Sequence, residues 1–484
     1  MPKPPCDAYT HWLIHHTAPE FLREEGLPPE VWLQQLWRHQ RIRRDQLRTV
    51  DGRRLSVLHP GFWNREAGPD FQRAVLQYEG ELSVVGDVEI DLSVSGWRGH
   101  HHQGNPAYRR VILRVVWRAR PSETTAGEVR DKEPPVLELE PVLDAPLSEL
   151  TNWLSCEAPW RLPASTAGMC AGPLRVVSSQ EAHRILEQAA RSRLARKGSE
   201  FEAQARQHGW EQVLWEGLFA ALGYKHNAWP MRRLAEVLRP GGPGMASRTW
   251  THLETVQGRV FGLSSFLSSA VTRPSTYWRS LWDVWWRERH EFEGMELPGS
   301  VWRWSGIRPI NHPHRRLALA AHWLQMTTLG TQLETWITQR LDQSAAAESL
   351  MTILQPRQAD PYWSKHWTLT SARLERSLPL LGAARATDLA MNVILPWFWV
   401  RATLARNDAL RARVEERYLE WPAGEDNAVL RLARDRLFGG VRPNLPRTAA
   451  IQQGILQVVR DFCDRSDSRC TGCQFPELMR ALSG

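Results

Sequence analysis

Hydrophobic and polar positions alternate in the first third of the chain, and this alternation predicts a small β-sheet. Residues 86–92 read GDVEIDL, in which every second side chain points to the same face of a strand. The Asp51-Gly52 pair between two short apolar runs predicts a hairpin turn. A helix is expected over residues 27–48, where apolar residues recur at helical spacing after two prolines. The strands are expected at residues 72–78, 82–93, 110–118 and 136–143.

The pattern changes near residue 145. Residues 119–134 are polar and rich in proline, glycine and charge, which predicts an exposed loop. Beyond residue 145, apolar residues recur every three or four positions and strand-like alternation almost disappears. The chain is therefore expected to be α+β. A small mixed β-sheet module would occupy residues 1–145, and a large all-α region would occupy residues 146–484.

Carboxylates and histidines are concentrated in and around the predicted strands. Asp70 follows a Gly-Pro turn, while Glu89 and Asp91 share one face of their strand. His100 and His102 also share a face if their segment is extended. Such a group of carboxylates and histidines can hold a hard cation, Mg²⁺ or Mn²⁺, and activate water. The same residues also fit a turn followed by a half-buried strand with one wet face, and that alternative stays open.

Charge permits a nucleic-acid partner without requiring one. The 484-residue chain has a net charge of +8, and only five of its 61 basic residues are lysines. Arginine suits bidentate phosphate contacts, although a GC-rich coding sequence also raises the arginine content. No apolar run approaches the roughly 18 residues that cross a bilayer, and the N-terminus lacks the features of a signal peptide. We therefore expect a cytoplasmic protein with no membrane partner and an undefined oligomeric state.

Three of the six cysteines lie close together near the C-terminus, as Cys463-x6-Cys470-x2-Cys473. A disulfide framework is not expected in a reducing compartment, and this spacing predicts a zinc or an iron–sulfur site. Both sites usually require four ligands. The candidates for the fourth ligand are Cys170, Cys156, Cys6 or a histidine. The alternative is that the cysteines are reduced thiols that bind no metal.

Residues 302–316 form a second polar segment, a proline-containing loop before a predicted helix. It contains Arg308, Asn311 and Arg316. The start of a helix beside arginines can bind a phosphate, so these residues are candidate nucleic-acid contacts. A capped helix start with arginines stacked on tryptophans explains the same residues without a ligand.

Several motifs together suggest a family. They are G-x-x-N-x-x-x-GPDF at residues 61–71, G-x-VEI at 86–90, W-x-x-H-x-H-x5-Y at 97–108, RP-x-N-x-P-x-x-R at 308–316 and the C-terminal C-x6-C-x2-C. This set resembles a bacterial family catalogued as domain of unknown function 2851, along most of the chain. The resemblance implies no established activity. The family pattern has histidines where this chain has Asp91 and Arg114, which puts any chemistry of those histidines in doubt here.

The N-terminal module resembles the PD-(D/E)xK nuclease superfamily more distantly. The resemblance implies a restriction-endonuclease-like layout, with Asp70 as the first metal ligand and Glu89 as the second. Asp91 stands where that superfamily usually has a lysine that helps to activate water, so His100 or His102 would have to act as the base. Some nucleases of this superfamily hold an iron–sulfur cluster on one early and three late cysteines. Cys170, or Cys6, with the three C-terminal cysteines is similar to that arrangement.

The leading hypothesis is a divalent-metal-dependent nuclease or nuclease-like protein that acts on DNA or RNA. A second hypothesis is a nucleic-acid-binding or scaffold protein that keeps the fold and has lost catalysis, which the aspartate at the lysine position favours. A third hypothesis places a metal on the histidines, in a hydrolase of a small substrate.

Overall fold

The computed structural model describes most of the chain. The described residues are 9, 28–64, 68–100, 102–119, 133–147, 149–150, 167–238, 252–267, 274–304, 307–326, 328–441, 444–463, 470 and 473–483. Cys6 and Cys156, the two alternative fourth ligands of the cysteine site, lie outside these residues.

The chain forms two compact units. Unit 1 consists of Met1–Ser178, Leu432–Arg442 and Gln457–Gly484, and unit 2 consists of Ser179–Arg431 and Pro443–Leu456. Unit 1 thus extends beyond the boundary expected at residue 145, and it includes the C-terminal cysteine segment that the sequence pattern assigned to the helical region.

Unit 1 is built on one six-stranded mixed sheet. Helix α1 (Glu30–His39) precedes it. The strands are β1 (Leu55–His59), β2 (Phe62–Trp63), β3 (Phe71–Tyr78), β4 (Val84–Asp91), β5 (Val111–Val116) and β6 (Val136–Glu138). The sheet order is β1-β3-β4-β5-β6, with β2 paired to β3. Pairing is antiparallel from β1 to β4 and parallel from β4 to β6.

Helices dominate the rest of the chain, which confirms the predicted α+β class. They are α2 (Gly96–Gly99), α3 (Ala171–Val176), α4 (Ser179–His208), α5 (Trp210–Leu222), α6 (Tyr224–Val237), α7 (Leu253–Leu263), α8 (Thr276–Glu288), α9 (Pro313–Gln325), α10 (Leu329–Thr338), α11 (Gln343–Leu354), α12 (Ala383–Leu389), α13 (Leu395–Leu404), α14 (Asp408–Glu420), α15 (Ala428–Phe438), α16 (Ala449–Val458) and α17 (Phe475–Ser483). Within the described ranges, none of them has the length and apolar composition needed to span a membrane.

Helix α1 packs on β4 and closes one side of the sheet. Its apolar side chains Leu33, Leu36 and Trp37 are fully buried, which follows from their spacing of three to four residues. The indole N–H of Trp37 donates to the carbonyl of Pro60 at 2.9 Å and fixes the helix to the end of β1. The helix is shorter than the predicted 27–48, because Gln40 takes a left-handed conformation with φ 51° and ends it.

A β-bulge offsets the pairing of β3 and β4 between Phe71 and Ala74. Arg73 adopts a left-handed φ of 57°, and its backbone N–H donates to the Asp87 carboxylate at 3.0 Å. The bulge changes the register at the start of β3, next to Asp70. The predicted strand at 136–143 is also shorter than expected, because residues 140–142 turn into a 3₁₀ helix.

Gly86 allows β4 and β5 to lie close together. A Cβ there would lie 2.6 Å from the carbonyl oxygen of Arg110 and would also overlap the side chain of Ile112. We expect Gly86→Ala to lower the free energy of unfolding by about 1–3 kcal/mol, because the backbone of β5 must move. Gly104→Ala is the matched control, since a Cβ at Gly104 meets nothing within 4 Å. Urea denaturation of both variants measures this, and equal stabilities would contradict it.

The buried imidazole of His59 makes unit 1 sensitive to acid. Burial and the charge of Arg73 lower the pKa of His59 to about 3, and its Nδ1 accepts the Gly61 N–H at 2.9 Å. The unfolded chain therefore binds the proton first, so stability is lost as the pH falls below about 6.5, by about 1.4 kcal/mol per pH unit. His59→Asn retains an acceptor and cannot be protonated. Its free energy of unfolding should fall less steeply between pH 6.5 and pH 4, and parallel slopes would contradict this assignment.

Candidate metal centre

The sheet brings the three predicted carboxylates to one place in unit 1. Asp70 directly precedes β3, and its neighbour Phe71 pairs with Val88 of β4. Glu89 and Asp91 lie at the end of β4 and alternate with apolar residues, as the period of a strand requires. Both are buried among the core residues of the sheet.

Asp70 and Glu89 are joined by hydrogen bonds. The backbone N–H of Asp70 donates to Glu89 Oε2 at 3.2 Å. The Asp70 side chain accepts the N–H of Ile90 at 3.0 Å and the amide of Gln34 from α1 at 2.9 Å. Both oxygens of Asp70 thus already have protein partners, so this residue mainly orients the end of β4 and Glu89.

The two histidines approach the carboxylates from the segment after β4. His100 Nδ1 lies 3.5 Å from Asp91 Oδ1, and His102 Nε2 lies 3.3 Å from Glu89 Oε1. The His102 ring stacks on Tyr108, with centroids 3.9 Å apart. The side chain of His102 is only 10% exposed, whereas that of His100 is 59% exposed. His102 is thus held in place, and His100 borders the solvent.

Asp91, His100 and His102 can share one ion. One ligand atom from each lies within 4.8 Å of the other two. Asp91 Oδ2 and His102 Nδ1 are buried and have no hydrogen-bond partner. Unpartnered buried polar atoms are costly, and an ion that accepts their lone pairs removes that cost. The donor set of one carboxylate and two imidazoles fits Zn²⁺ or Mn²⁺ better than Mg²⁺, which prefers oxygen.

The electrostatics of the site disfavour three ionised carboxylates without a cation beside them. Burial, with the charges of Asp70 and Asp91, raises the pKa of Glu89 to about 9. Burial, with the charges of Glu30 and Asp91, raises the pKa of Asp70 to about 7, although the N–H of Ile90 opposes this. Burial also raises the pKa of Asp91. A divalent cation would offset this repulsion.

Arg114 is the nearest buried cation of the site, but it is engaged elsewhere. It lies opposite Glu89 on β5 and contacts the carbonyl of Val94 and, at 3.4 Å, the Glu133 carboxylate. Its guanidinium lies 5.1 Å from the ring centroid of Trp97. Its charge lowers the pKa of Asp91 against the effect of burial. Arg114 therefore moderates the negative charge without forming a hydrogen bond to the three carboxylates.

Gly96 lets the backbone approach Asp91. A Cβ at this position would lie 2.7 Å from Asp91 Oδ1, so a larger residue would displace the carboxylate. Neither Gly96 nor Gln34 was predicted from the sequence. Gln34 lies on α1, 36 residues before Asp70, and nothing local distinguishes it from other polar residues on that helix.

Two of the three predicted nucleic-acid residues of unit 2, Asn311 and Arg316, form an internal network. Arg316 is buried and donates to Asn311 at 2.7 Å and to the carbonyl of Leu380 at 2.8 Å. The Asn311 side chain also accepts from Tyr224 at 2.5 Å. Arg308 is exposed and pairs with Glu425 at 3.2 Å. Arg316 and Asn311 thus stabilise the start of α9, and Arg308 alone of the three faces solvent.

The four cysteines in the described ranges belong to unit 1. Cys170, Cys463 and Cys470 are buried, and Cys473 is half-buried. The segments that carry them are brought together where α17 packs on α3. Cys170 is thus the candidate fourth ligand that the structure places with the C-terminal three.

Comparisons with known proteins give one finding. The chain matches the family described as Protein of unknown function (DUF2851) over residues 30–427. Searches of curated proteins and of solved structures found no match. The family match includes the sheet, both histidines and most of unit 2. The protein therefore belongs to the DUF2851 family.

Proposed function

We propose that the protein is a divalent-metal-dependent hydrolase of phosphodiester bonds, with DNA or RNA as its substrate. The observation that supports this most is the grouping of Asp91, His100 and His102, whose ligand atoms lie within 4.8 Å of one another. Asp91 Oδ2 and His102 Nδ1 are buried without a hydrogen-bond partner, and His102 Nε2 lies 3.3 Å from Glu89 Oε1. Most buried polar atoms in proteins have a hydrogen-bond partner, so these two atoms are open to an ion.

The residues divide into ligands and supporting groups. Asp91, His100 and His102 are the proposed ligands, because their donor atoms are already grouped. Glu89 is held by the Asp70 N–H and lies next to His102. A bound cation would lower its raised pKa, and the ionised carboxylate is then the proposed acceptor of a proton from the attacking water. A bound divalent ion would polarise the phosphate and lower the pKa of that water. Tyr108 keeps the imidazole plane of His102 fixed by stacking.

The surroundings of the site suit a polyanionic substrate. Arg109 and Arg110 directly follow Tyr108 and are exposed. The chain as a whole has a net charge of +8, nearly all of it from arginine. Exposed arginines next to a metal-activated water can bind the phosphates on either side of the scissile bond.

A specific observation favours a second candidate function. A metal on one carboxylate and two imidazoles also occurs in hydrolases of small substrates, and the grouping of Asp91, His100 and His102 fits such a centre equally well. The two functions differ in substrate and share the metal. Binding of metal and nucleic acid without hydrolysis would instead support a non-catalytic protein, the reading that Asp91 at the lysine position favours.

Metal binding tests the proposed ligands. We expect isothermal titration of the purified protein with Mn²⁺ to detect one site, and Asp91→Asn and His102→Asn each to weaken it at least about tenfold, because each removes a ligand. Glu79→Gln, which changes an exposed carboxylate of unit 1, should leave the affinity unchanged. Equal affinity in all four proteins would contradict the site.

Cleavage tests the reaction. With Mn²⁺, we expect hydrolysis of labelled single- or double-stranded DNA or RNA, and Glu89→Gln should reduce the rate by about 10²-fold or more, because general-base catalysis contributes that much. Glu79→Gln is again the matched control. Hydrolysis of p-nitrophenyl esters, together with no cleavage of nucleic acid, would favour the small-substrate hydrolase. Full cleavage by Glu89→Gln would exclude Glu89 as the base.

A further inference from the structure

Four cysteines from separate parts of the chain meet in unit 1. Cys170 immediately precedes α3. Cys463 ends a π-helical turn, residues Val459–Cys463, that continues α16. Cys470 and Cys473 lie between that turn and α17. Because α17 packs on α3, the late cysteines are brought to the early one.

Arg436 links the two sides of this group. Its guanidinium donates to Cys470 Sγ at 2.8 Å. Its carbonyl accepts the N–H of Gly168 at 2.7 Å. A Cβ built on Gly168 would lie 3.2 Å from Cys170 Sγ and 3.5 Å from Arg436 Nε, so Cys170 and the arginine are close neighbours. The glycine leaves room for both.

The backbone of Cys470 and Cys473 brings these two residues together. Cys470 has a φ of 63°, which is uncommon for a residue other than glycine. The N–H of Cys473 donates to the carbonyl of Cys470 at 3.1 Å. The Cys-x2-Cys spacing is one that presents both sulfur atoms to one centre.

The sulfur atoms lie within each other's electrostatic field. Burial, together with the nearby Cys473 and Cys470, raises the pKa of the Cys170 thiol to about 12. Burial, together with Cys170 and Cys473, also raises the pKa of Cys463. Arg436 opposes both effects. Buried thiols this close to one another are suited to share one positively charged centre.

We infer that Cys170, Cys463, Cys470 and Cys473 bind an iron–sulfur cluster, with Arg436 as a hydrogen-bond donor to its Cys470 ligand. A single zinc holds four sulfur atoms about 3.8 Å apart, given tetrahedral Zn–S bonds of about 2.3 Å. Among the described residues, however, no three of the cysteine sulfurs lie within 4.8 Å of one another. The group that meets this distance is Asp91, His100 and His102. A cluster holds its thiolates on several iron atoms and so farther apart.

The cluster would have a structural role that is separate from the proposed hydrolysis. It would link Cys170, before α3, to Cys463, Cys470 and Cys473 through iron, all within unit 1. Arg436, near the end of α15, would be tied to the cluster by its hydrogen bond to Cys470. Loss of the cluster should therefore destabilise unit 1.

Metal and sulfide analysis of the full chain tests the inference. Protein purified without oxygen should contain two or four iron atoms per chain, an equal amount of acid-labile sulfide, and visible absorption that dithionite bleaches. One zinc per chain without sulfide would overturn the cluster. Absence of iron after anaerobic reconstitution with iron and sulfide would also overturn it. This experiment needs no variant, so a folding defect cannot obscure it.

Single substitutions test the ligand set. Cys170→Ser and Cys463→Ser should lose most of the iron, while Cys6→Ser and Cys156→Ser should keep it, since neither belongs to the inferred set. Iron that is retained in Cys170→Ser but lost in Cys6→Ser or Cys156→Ser would overturn the assignment of Cys170.

The reduction potential of the cluster tests the role of Arg436, because a residue with a merely structural role would not change it. N–H···S hydrogen bonds favour the reduced cluster, so Arg436→Gln should keep the iron and shift the reduction potential to a more negative value. Arg436→Lys, which keeps the charge and a donor, should shift it less. An unchanged potential in Arg436→Gln would exclude the hydrogen bond to a cluster ligand.

Discussion

Burial of three neighbouring carboxylates is the constraint on which the site of unit 1 depends. The parallel pairing of β4 with β5 and the antiparallel pairing of β3 with β4 fix the positions of Asp70, Glu89 and Asp91 from both sides. Their repulsion would favour opening of this end of the sheet. Backbone donors, two imidazoles and the close approach of Gly96 hold it together instead. A multivalent cation would offset the repulsion of such a group of buried carboxylates.

Local periodicity was sufficient to predict the class of fold. Alternation over residues 86–92 identified β4, and the turn at Asp51-Gly52 preceded β1 as expected. The errors lie at element ends. Helix α1 stops at His39 because Gln40 takes the left-handed conformation. No glycine or proline at this position marks the end of the helix in the sequence. Boundaries depend on such individual conformations and on tertiary packing, which a sequence pattern does not contain.

The relative position of two candidate residues could be predicted from the sequence only where they are neighbours along the chain. The i, i+2 relation of Glu89 and Asp91 follows from strand geometry alone. The convergence of His100 and His102 on them depends on the path of the connection to β5. One partner of Asp70, Gln34, lies on a separate helix. Arg316 looked available for phosphate in the sequence, yet its donors are used by internal carbonyl and amide oxygens. A basic residue is a binding residue only if the fold leaves its donors open.

The two units differ in how they are encoded along the chain. Unit 2 is nearly continuous, whereas unit 1 takes its parts from the beginning of the chain, from residues 432–442 and from the last 28 residues, Gln457–Gly484. During synthesis on the ribosome, the helical unit can fold as soon as residue 456 has emerged, but the sheet-containing unit is incomplete until residues 457–484 have emerged as well. Truncation of the chain within residues 457–484 would thus damage the unit that contains the sheet of residues 55–138.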